Sequence, residues 1–425
     1  MDPKTLLAKR TAGLLPSPIR KLLPLMRLPG MISLGGGYPN PESFAFSSLT
    51  LSFKSGKEFS LQDKLLELAC QYGPTDVHAD LRPYLINWHA GKDGVELKPD
   101  QIQVLNGTQE GLHIMAYLFL DDGDAVVLSE PVYPGALGAF RAFSREFIPV
   151  PVDSAGMIAS ELEGSLEARE RSGKPRPKFI YEVPNGHNPA GVSLSLARRR
   201  HLLALASRFD LLILEDDPYQ LLSLGEKEHL PSLQALDEEK RVIRLDSFSK
   251  IFAPGLRLGY ASGPAEIIYY FQLYKQGMNL HTSAMDQSLL GGFFESHSYD
   301  EFRDLIRANA LVYRDRRDAM VAAARRRLPG QVKFNVPSEG LFLWFELPAG
   351  YDAQRMMERD GVDLGVLLVP GGAFSTRGGL KNCMRASFSM VPPEAIDEGM
   401  ARFAVMIARE EARVNTELPW RATVF

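Results

Sequence analysis

The chain has 425 residues, of which 45% are hydrophobic and 24% charged, with a formal net charge of −4. That length accommodates two domains and a sizeable core, and the near balance of charge excludes the basic footprint of a nucleic-acid binder or a strongly charged membrane surface. Two cysteines, Cys70 and Cys383, make no disulfide framework and no apolar run approaches a membrane span, so a reducing compartment is expected.

Residues 1–30 carry Lys4, Lys9, Arg10, Arg20, Lys21 and Arg27 against only Asp2. Two readings stand for this stretch: a mitochondrial targeting segment, or an N-terminal arm of the folded protein, which is preferred from Ser17 onward. The corresponding location is cytoplasmic, with the mitochondrial matrix as the alternative. Further along, short apolar runs of strand character occur at 102–105, 125–128, 179–183, 211–214, 242–245 and 258–261, with helical patterns such as 111–120 and 196–209 between them. Apolar strands separated by helices predict a mostly parallel sheet covered on both faces. The alternation breaks around 272–286. A long basic helical pattern follows at 301–327, then strands at 340–346, 365–369 and 384–388. The expected fold class is α/β: a large α/β/α domain over 45–290 and a smaller C-terminal α/β domain over 291–425, with residues 1–44 as an arm contributing to the small domain and the substrate site.

Chemistry gathers where the expected strands end, as it does in open α/β sheets. Gly107-Thr108-Gln109-Glu110-Gly111 opens a helix, and free N–H groups there suit an anion. Thr108 also reads as a plain helix cap, and the two roles are compatible. Glu130-Pro131-Val132-Tyr133-Pro134 places an aromatic that can stack on a flat ring or simply form a wall. Pro184-Asn185-Gly186-His187-Asn188-Pro189 marks a tight turn in which Asn188 can donate to a ligand oxygen, and His187 is expected to be a surface-turn histidine. Glu215-Asp216-Asp217-Pro218-Tyr219 offers Asp216 or Asp217 as a carboxylate for a protonated pyridine nitrogen, with Tyr219 as a phenolate partner. Asp246-Ser247-Phe248-Ser249-Lys250, followed by Gly255-Leu256-Arg257, sets two hydroxyls and a guanidinium around one lysine. Ser247, Ser249 and Arg257 suit a phosphate monoester. Lys250 suits an aldehyde, with which it forms a Schiff base. Pyridoxal 5′-phosphate carries both groups.

The ordered set G-T-Q-x-G, E-P-x-Y, P-N-x-x-N-P-A-G, D-D-P-Y and S-F-S-K-x-x-x-P-G-L-R-x-G resembles the fold-type I, class I/II aminotransferases over residues 17–389. The separations agree, with Asn188 and Asp216 lying 28 positions apart and Asp216 and Lys250 34 apart. Ser17-Pro18-Ile19-Arg20, the 32–41 stretch and Arg385-Ala386-Ser387-Phe388-Ser389 are similar to the kynurenine/α-aminoadipate aminotransferase subgroup. The resemblance implies that Lys250 carries the Schiff base, that Asp216 is the pyridine partner, and that Asn188 and Tyr219 meet the phenolate oxygen. It further implies that Thr108, Gln109, Ser247, Ser249 and Arg257 hold the phosphate, that Tyr133 stacks, and that Arg385 clamps the substrate carboxylate. Gly37 and Arg20 are placed near substrate, and Tyr72 is implied to reach the cofactor phosphate of a second subunit in a homodimer. Ala190, His187 and Tyr38 depart from the family pattern, the last two at positions that bear on substrate preference. The implied reaction is ping-pong transfer of an amino group to 2-oxoglutarate from α-aminoadipate, kynurenine or another aromatic or large amino acid. A β-lyase or decarboxylase on the same scaffold is the alternative, and a non-catalytic binding protein a more distant one. No G-x-G-x-x-G follows a strand and opens a helix, which argues against a nicotinamide enzyme.

Overall fold

The computed structural model describes residues 3–18, 29–32, 37–225 and 229–417. A hairpin of β1 (Leu49–Ser52) and β2 (Glu58–Leu61) precedes helices α1 (Asp63–Cys70) and α2 (Arg82–Asp93). The main sheet then unfolds along the chain as β3 (Ile102–Leu105), β4 (Ala125–Glu130), β5 (Glu146–Asp153), β6 (Gly156–Met157), β7 (Phe179–Glu182), β8 (Leu212–Asp216), β9 (Val242–Ser247) and β10 (Gly259–Ser262). Helices α3 (Thr108–Phe119), α4 (Pro134–Arg141), α5 (Ala159–Arg171), α6 (Leu196–Arg208) and α7 (Ala265–Met278) cover it. The spatial order is β3-β10-β9-β8-β7-β4-β5-β6. Strands β5, β4, β7, β8 and β9 run parallel, whereas β10 is antiparallel to both its neighbours. The short 248–258 connection holds no long helix, so the chain has no crossover there and must return antiparallel.

Alternate side chains of each central strand enter opposite layers, as the two-residue period requires. Val126, Leu128, Phe179, Tyr181, Leu212 and Leu214 join Leu112, Phe119 and Phe140 of α3 and α4 in one core. Val127, Ile180 and Ile213 join Leu162, Leu166, Leu202 and Leu205 of α5 and α6 in the other. Burial on both faces is why these strands read as continuous apolar runs.

The predicted break at 272–286 is narrower in the structure. Helix α7 runs to Met278 and α8 (Ala284–Ser296) follows after a five-residue connection, with Leu280 in a left-handed conformation between them (φ 66°). Helix α9 (Tyr299–Arg327) starts at a capping box of Ser298 and Glu301 and ends on Arg325, Arg326 and Arg327, matching the helix dipole at both ends. It packs with α10 (Pro393–Glu417) against an antiparallel sheet of β11 (Lys333–Phe334), β12 (Phe342–Glu346), β13 (Val369–Pro370) and β14 (Cys383–Ser387), in the order β11-β12-β14-β13. The strand expected over 365–369 shrinks to the two residues of β13. A helical stretch ends at Gly365 in the left-handed region (φ 64°), the Val366 N–H still donates to the Gly361 carbonyl, and Leu367 is left 78% exposed.

Over its first part the N-terminal arm lies on the large domain, not on the small one. Leu6 and Ala8 are buried, the Ala8 N–H donates to the Leu118 carbonyl of α3 at 2.7 Å, and the Arg10 guanidinium sits 4.9 Å from the Phe143 ring centroid. Arg20 lies outside the described residues, as do residues 33–36 of the 32–41 stretch. Among the described residues no helix is long and apolar enough to cross a membrane.

Candidate active site

The carboxyl ends of β7, β8 and β9 and the N-terminus of α3 surround a cavity of about 210 Å³. Of the residues singled out in the sequence, Thr108, Gln109, Tyr133, Asn188, Asp216, Tyr219, Ser247, Ser249, Lys250 and Arg257 all line it. They come from five separate stretches of chain, and the parallel sheet is what brings them to one edge.

Asp216 ends β8 on the cavity floor. Its Oδ2 accepts from the Tyr181 hydroxyl at 2.9 Å, while Oδ1 is buried and has no hydrogen-bond partner among the described residues. Burial, reinforced by the Asp217 charge, pushes Asp216 up to about 7. Asp217 faces away, into a buried polar network. Its Oδ2 accepts from Asn185 Nδ2 at 2.7 Å and Arg244 Nη2 at 3.1 Å, and its Oδ1 from the Gln220 N–H at 3.0 Å. Arg244 is fully buried and also meets Glu215 at 3.0 Å and Asp246 at 3.0 Å. Only one of the two adjacent aspartates therefore has an oxygen to offer a ligand.

At the other end, Gly107 precedes the first turn of α3 with φ 74° and ψ 163°, and no side chain caps the helix. A methyl group on Gly107 would lie 2.4 Å from Arg257 Nη2, so glycine here is what admits the guanidinium. Arg257 is itself left-handed (φ 51°). Ser247 Oγ accepts from the Ser249 N–H at 3.1 Å, which orients the hydroxyl. Open N–H groups, hydroxyls and a guanidinium converge here as an anion cradle. Lys250 lines the same cavity, its amine held below the usual lysine range by burial and by the charges of Arg257 and Arg385.

Arg385 occupies the middle of β14, and its Nη1 donates to Asn188 Oδ1 at 2.9 Å. Its guanidinium carbon is 4.2 Å from the Phe342 ring centroid and 5.0 Å from that of Phe374. Its Nε is buried and has no hydrogen-bond partner among the described residues. Tyr219 meets Phe342 edge-on at 6.2 Å, and burial pushes its hydroxyl well above the usual tyrosine range.

Phe342, Phe374 and Tyr181 were not foreseen from the sequence. Each stands in an ordinary strand or apolar setting and becomes part of the site through a long-range contact. The expectation of a surface-turn His187 is corrected: the residue is only 3% exposed, and burial pushes its imidazole down to about 4. The cause is the small domain, which closes over the turn. A methyl on Gly186 would lie 2.7 Å from the Gly340 backbone nitrogen, so the pair of glycines lets the 339–342 strap cover His187 and carry Phe342 to the cavity. Tyr72 and Gly37 do not line this cavity. Tyr72 is 53% exposed and meets Tyr38 edge-on at 6.1 Å, and Gly37 is exposed beside them.

A lysine, an anion cradle and a buried carboxylate line one cavity at the carboxyl edge of this sheet, as the active site of an α/β enzyme does. The family model described as aminotransferase class I and II matches residues 62–403. The chain is similar to the aromatic-amino-acid aminotransferase 1 of Thermococcus litoralis, with 36% identity over 410 residues and 96% of each chain covered. It is 33% identical over 408 residues to the mitochondrial kynurenine/alpha-aminoadipate aminotransferase of Mus musculus, covering 92% of this chain and 96% of the other. Among solved structures, the kynurenine aminotransferase of Pyrococcus horikoshii, whose crystal structure holds PMP with kynurenine (KYN) as substrate and KYA as product, superposes with a TM-score of 0.78 at 35% identity, covering 96% of this chain and 98% of that one. The chain belongs to the aminotransferase class I and II family.

Proposed function

We propose that this enzyme binds pyridoxal 5′-phosphate in the described cavity and moves the amino group of an aromatic amino acid, kynurenine or α-aminoadipate to 2-oxoglutarate. The observation that carries the cofactor reading is Asp216 Oδ1. A buried carboxylate oxygen with no partner is costly unless a ligand supplies a donor, and a protonated pyridine nitrogen is such a donor. The phosphate fits the cradle of Thr108, Gln109, Ser247, Ser249 and Arg257 at the other end. When bound, the cofactor supplies an aldehyde for amine exchange and a ring that withdraws electrons while its nitrogen stays protonated.

The residues of the chain do the rest. Asp216, once paired, holds its negative charge and keeps the ring nitrogen protonated. Lys250 anchors the cofactor through its amine. With its affinity for protons lowered by burial and by the charges of Arg257 and Arg385, Lys250 Nζ would be the base that takes the proton from the amino acid Cα. Tyr219 stays protonated and donates. Asn188 spends its oxygen on Arg385, and its NH₂ group faces the Tyr219 hydroxyl with a second N–H left for the ligand. Arg385 binds the substrate α-carboxylate by its fork, held in plane by the Phe342 and Phe374 rings. Tyr133 is the stacking aromatic.

The functional unit is a homodimer. The exposed cluster of Tyr72, Tyr38 and Gly37 serves the partner's cavity, with Arg20 meeting the far end of an acidic substrate. A donor panel with 2-oxoglutarate as acceptor tests the reaction. Lys250→Ala is expected to abolish turnover; normal transamination by that variant would refute the reading. Turnover that needs no 2-oxo acid would refute it in favour of a lyase or decarboxylase. In an Arg20→Ala variant the expected loss is confined to α-aminoadipate and other acidic donors.

A further inference from the structure

Glu110 is the third residue of α3, and its carboxylate turns back on the chain entering that helix. Oε2 accepts from the Asn106 N–H at 2.5 Å, immediately before Gly107 and Thr108. Lys275, in the last turn of α7, donates to both carboxylate oxygens, at 2.6 and 2.8 Å. Asn279, just past the end of α7, donates to Oε1 at 2.7 Å. The Lys275 side chain is fully buried and that of Glu110 is 7% exposed. From Asn279 the chain passes through the left-handed Leu280 to His281, whose Nε2 accepts from the Gly73 N–H at 3.3 Å beside Tyr72.

A buried ion pair is a costly way to hold a helix end, and a Ser or Asp at position 107 would cap α3 more simply. Glycine stands there because Arg257 needs the space, so the turn must be held from further along the helix. Glu110 does this, but it brings a negative charge to the same helix end that offers its N–H groups to an anion. Such a charge repels a phosphate dianion at short range. Lys275 cancels it.

We infer that Lys275, assisted by Asn279, is a positioning residue for the phosphate end of the site: it neutralises Glu110 and locks the 106–108 turn so that α3 can receive a dianion. The inference rests on the pyridoxal 5′-phosphate reading above and goes beyond it, since none of these side chains reaches the cavity.

The test titrates cofactor-free wild type, Lys275→Met and Lys275→Arg with pyridoxal 5′-phosphate and, separately, with pyridoxal, by calorimetry. Wild type should prefer the phosphorylated ligand. In Lys275→Met that preference should fall by about tenfold while pyridoxal affinity changes by less than about twofold, and Lys275→Arg should restore it. A Lys275→Met protein that keeps the wild-type preference, or that loses both ligands in parallel, would overturn the inference. Wild type showing no preference for the phosphorylated ligand would instead overturn the cofactor reading, and the inference with it. If Lys275→Met does not fold, as judged by thermal unfolding, Asn279→Ala takes its place, because it leaves the ion pair intact. Its preference should fall about threefold, and an unchanged preference would overturn the inference.

Discussion

Replacing Gly107 with alanine tests the fit between the start of α3 and Arg257. The backbone there (φ 74°, ψ 163°) belongs to a region that only glycine occupies without strain, so a side chain costs about 1–3 kcal/mol of stability. The added methyl would also lie 2.4 Å from Arg257 Nη2 and 3.1 Å from Cζ, so the guanidinium must shift away from the start of α3 and weaken its contact with the phosphate. Losing one charge-assisted contact to the phosphate costs about 1.5–3 kcal/mol, or roughly 10- to 150-fold in cofactor affinity. The assay is a cycle of Gly107→Ala, Arg257→Ala and the double variant, each titrated with pyridoxal 5′-phosphate and melted. In the Arg257→Ala background the steric component vanishes, so Gly107→Ala should change affinity by less than about threefold while still lowering stability. Equal losses of affinity in the two backgrounds would refute the reasoning, and so would no loss in either.

Asp216→Ala should reduce turnover far more than Asp217→Ala. Asp217→Ala should instead lower stability by about 1–3 kcal/mol, because Asn185, Arg244 and the Gln220 N–H lose a buried acceptor; kinetics and melting on both variants distinguish the roles. Asp216 sits at about 7 in the protein without cofactor, above the usual carboxylate value, so the folded state holds that proton more tightly than the unfolded chain. Stability should therefore fall as pH rises towards 7. Relative to Asp216→Asn, the cofactor-free wild type should lose about 2–3 kcal/mol between pH 5 and 7. Chemical denaturation across that range checks this, and parallel curves for the two proteins would contradict it. Phe374→Leu removes one aromatic face from Arg385 and should weaken kcat/KM for the amino donor by about three- to tenfold, with cofactor affinity unchanged. Steady-state kinetics against the titrated cofactor separate the two effects.

The α/β class was legible because the central strands are buried on both faces and leave uninterrupted apolar runs, with turn residues and chemistry at their ends. The run at 365–369 misled, because apolar character alone does not distinguish a strand from the exit of a helix; Gly365 and the Val366–Gly361 hydrogen bond settle it. His187 misled for a different reason: its turn is a surface turn until another domain covers it.

Motifs contiguous in the chain carried the candidate groups, because a phosphate, an aldehyde and a pyridine nitrogen each demand a particular side-chain chemistry. Lys250, Ser247, Ser249 and Arg257 fall within eleven positions, and the acid-acid-Pro-Tyr stretch stands out unaided. The choice between Asp216 and Asp217 came from family resemblance, and local residue types could not supply it. In the structure the physical difference is plain: Asp217 is saturated by Asn185, Arg244 and Gln220, whereas Asp216 keeps one oxygen free. The same limit applies to Phe342 and Phe374 around Arg385 and to Lys275 behind Glu110. Lys275 and Glu110 lie 165 positions apart, and Phe342 and Phe374 reach Arg385 from a paired strand and from the turn that precedes β14. No spacing rule links them, because hydrogen bonds and ring contacts depend on distance in space, which is decided only when strands pair and helices pack within each domain.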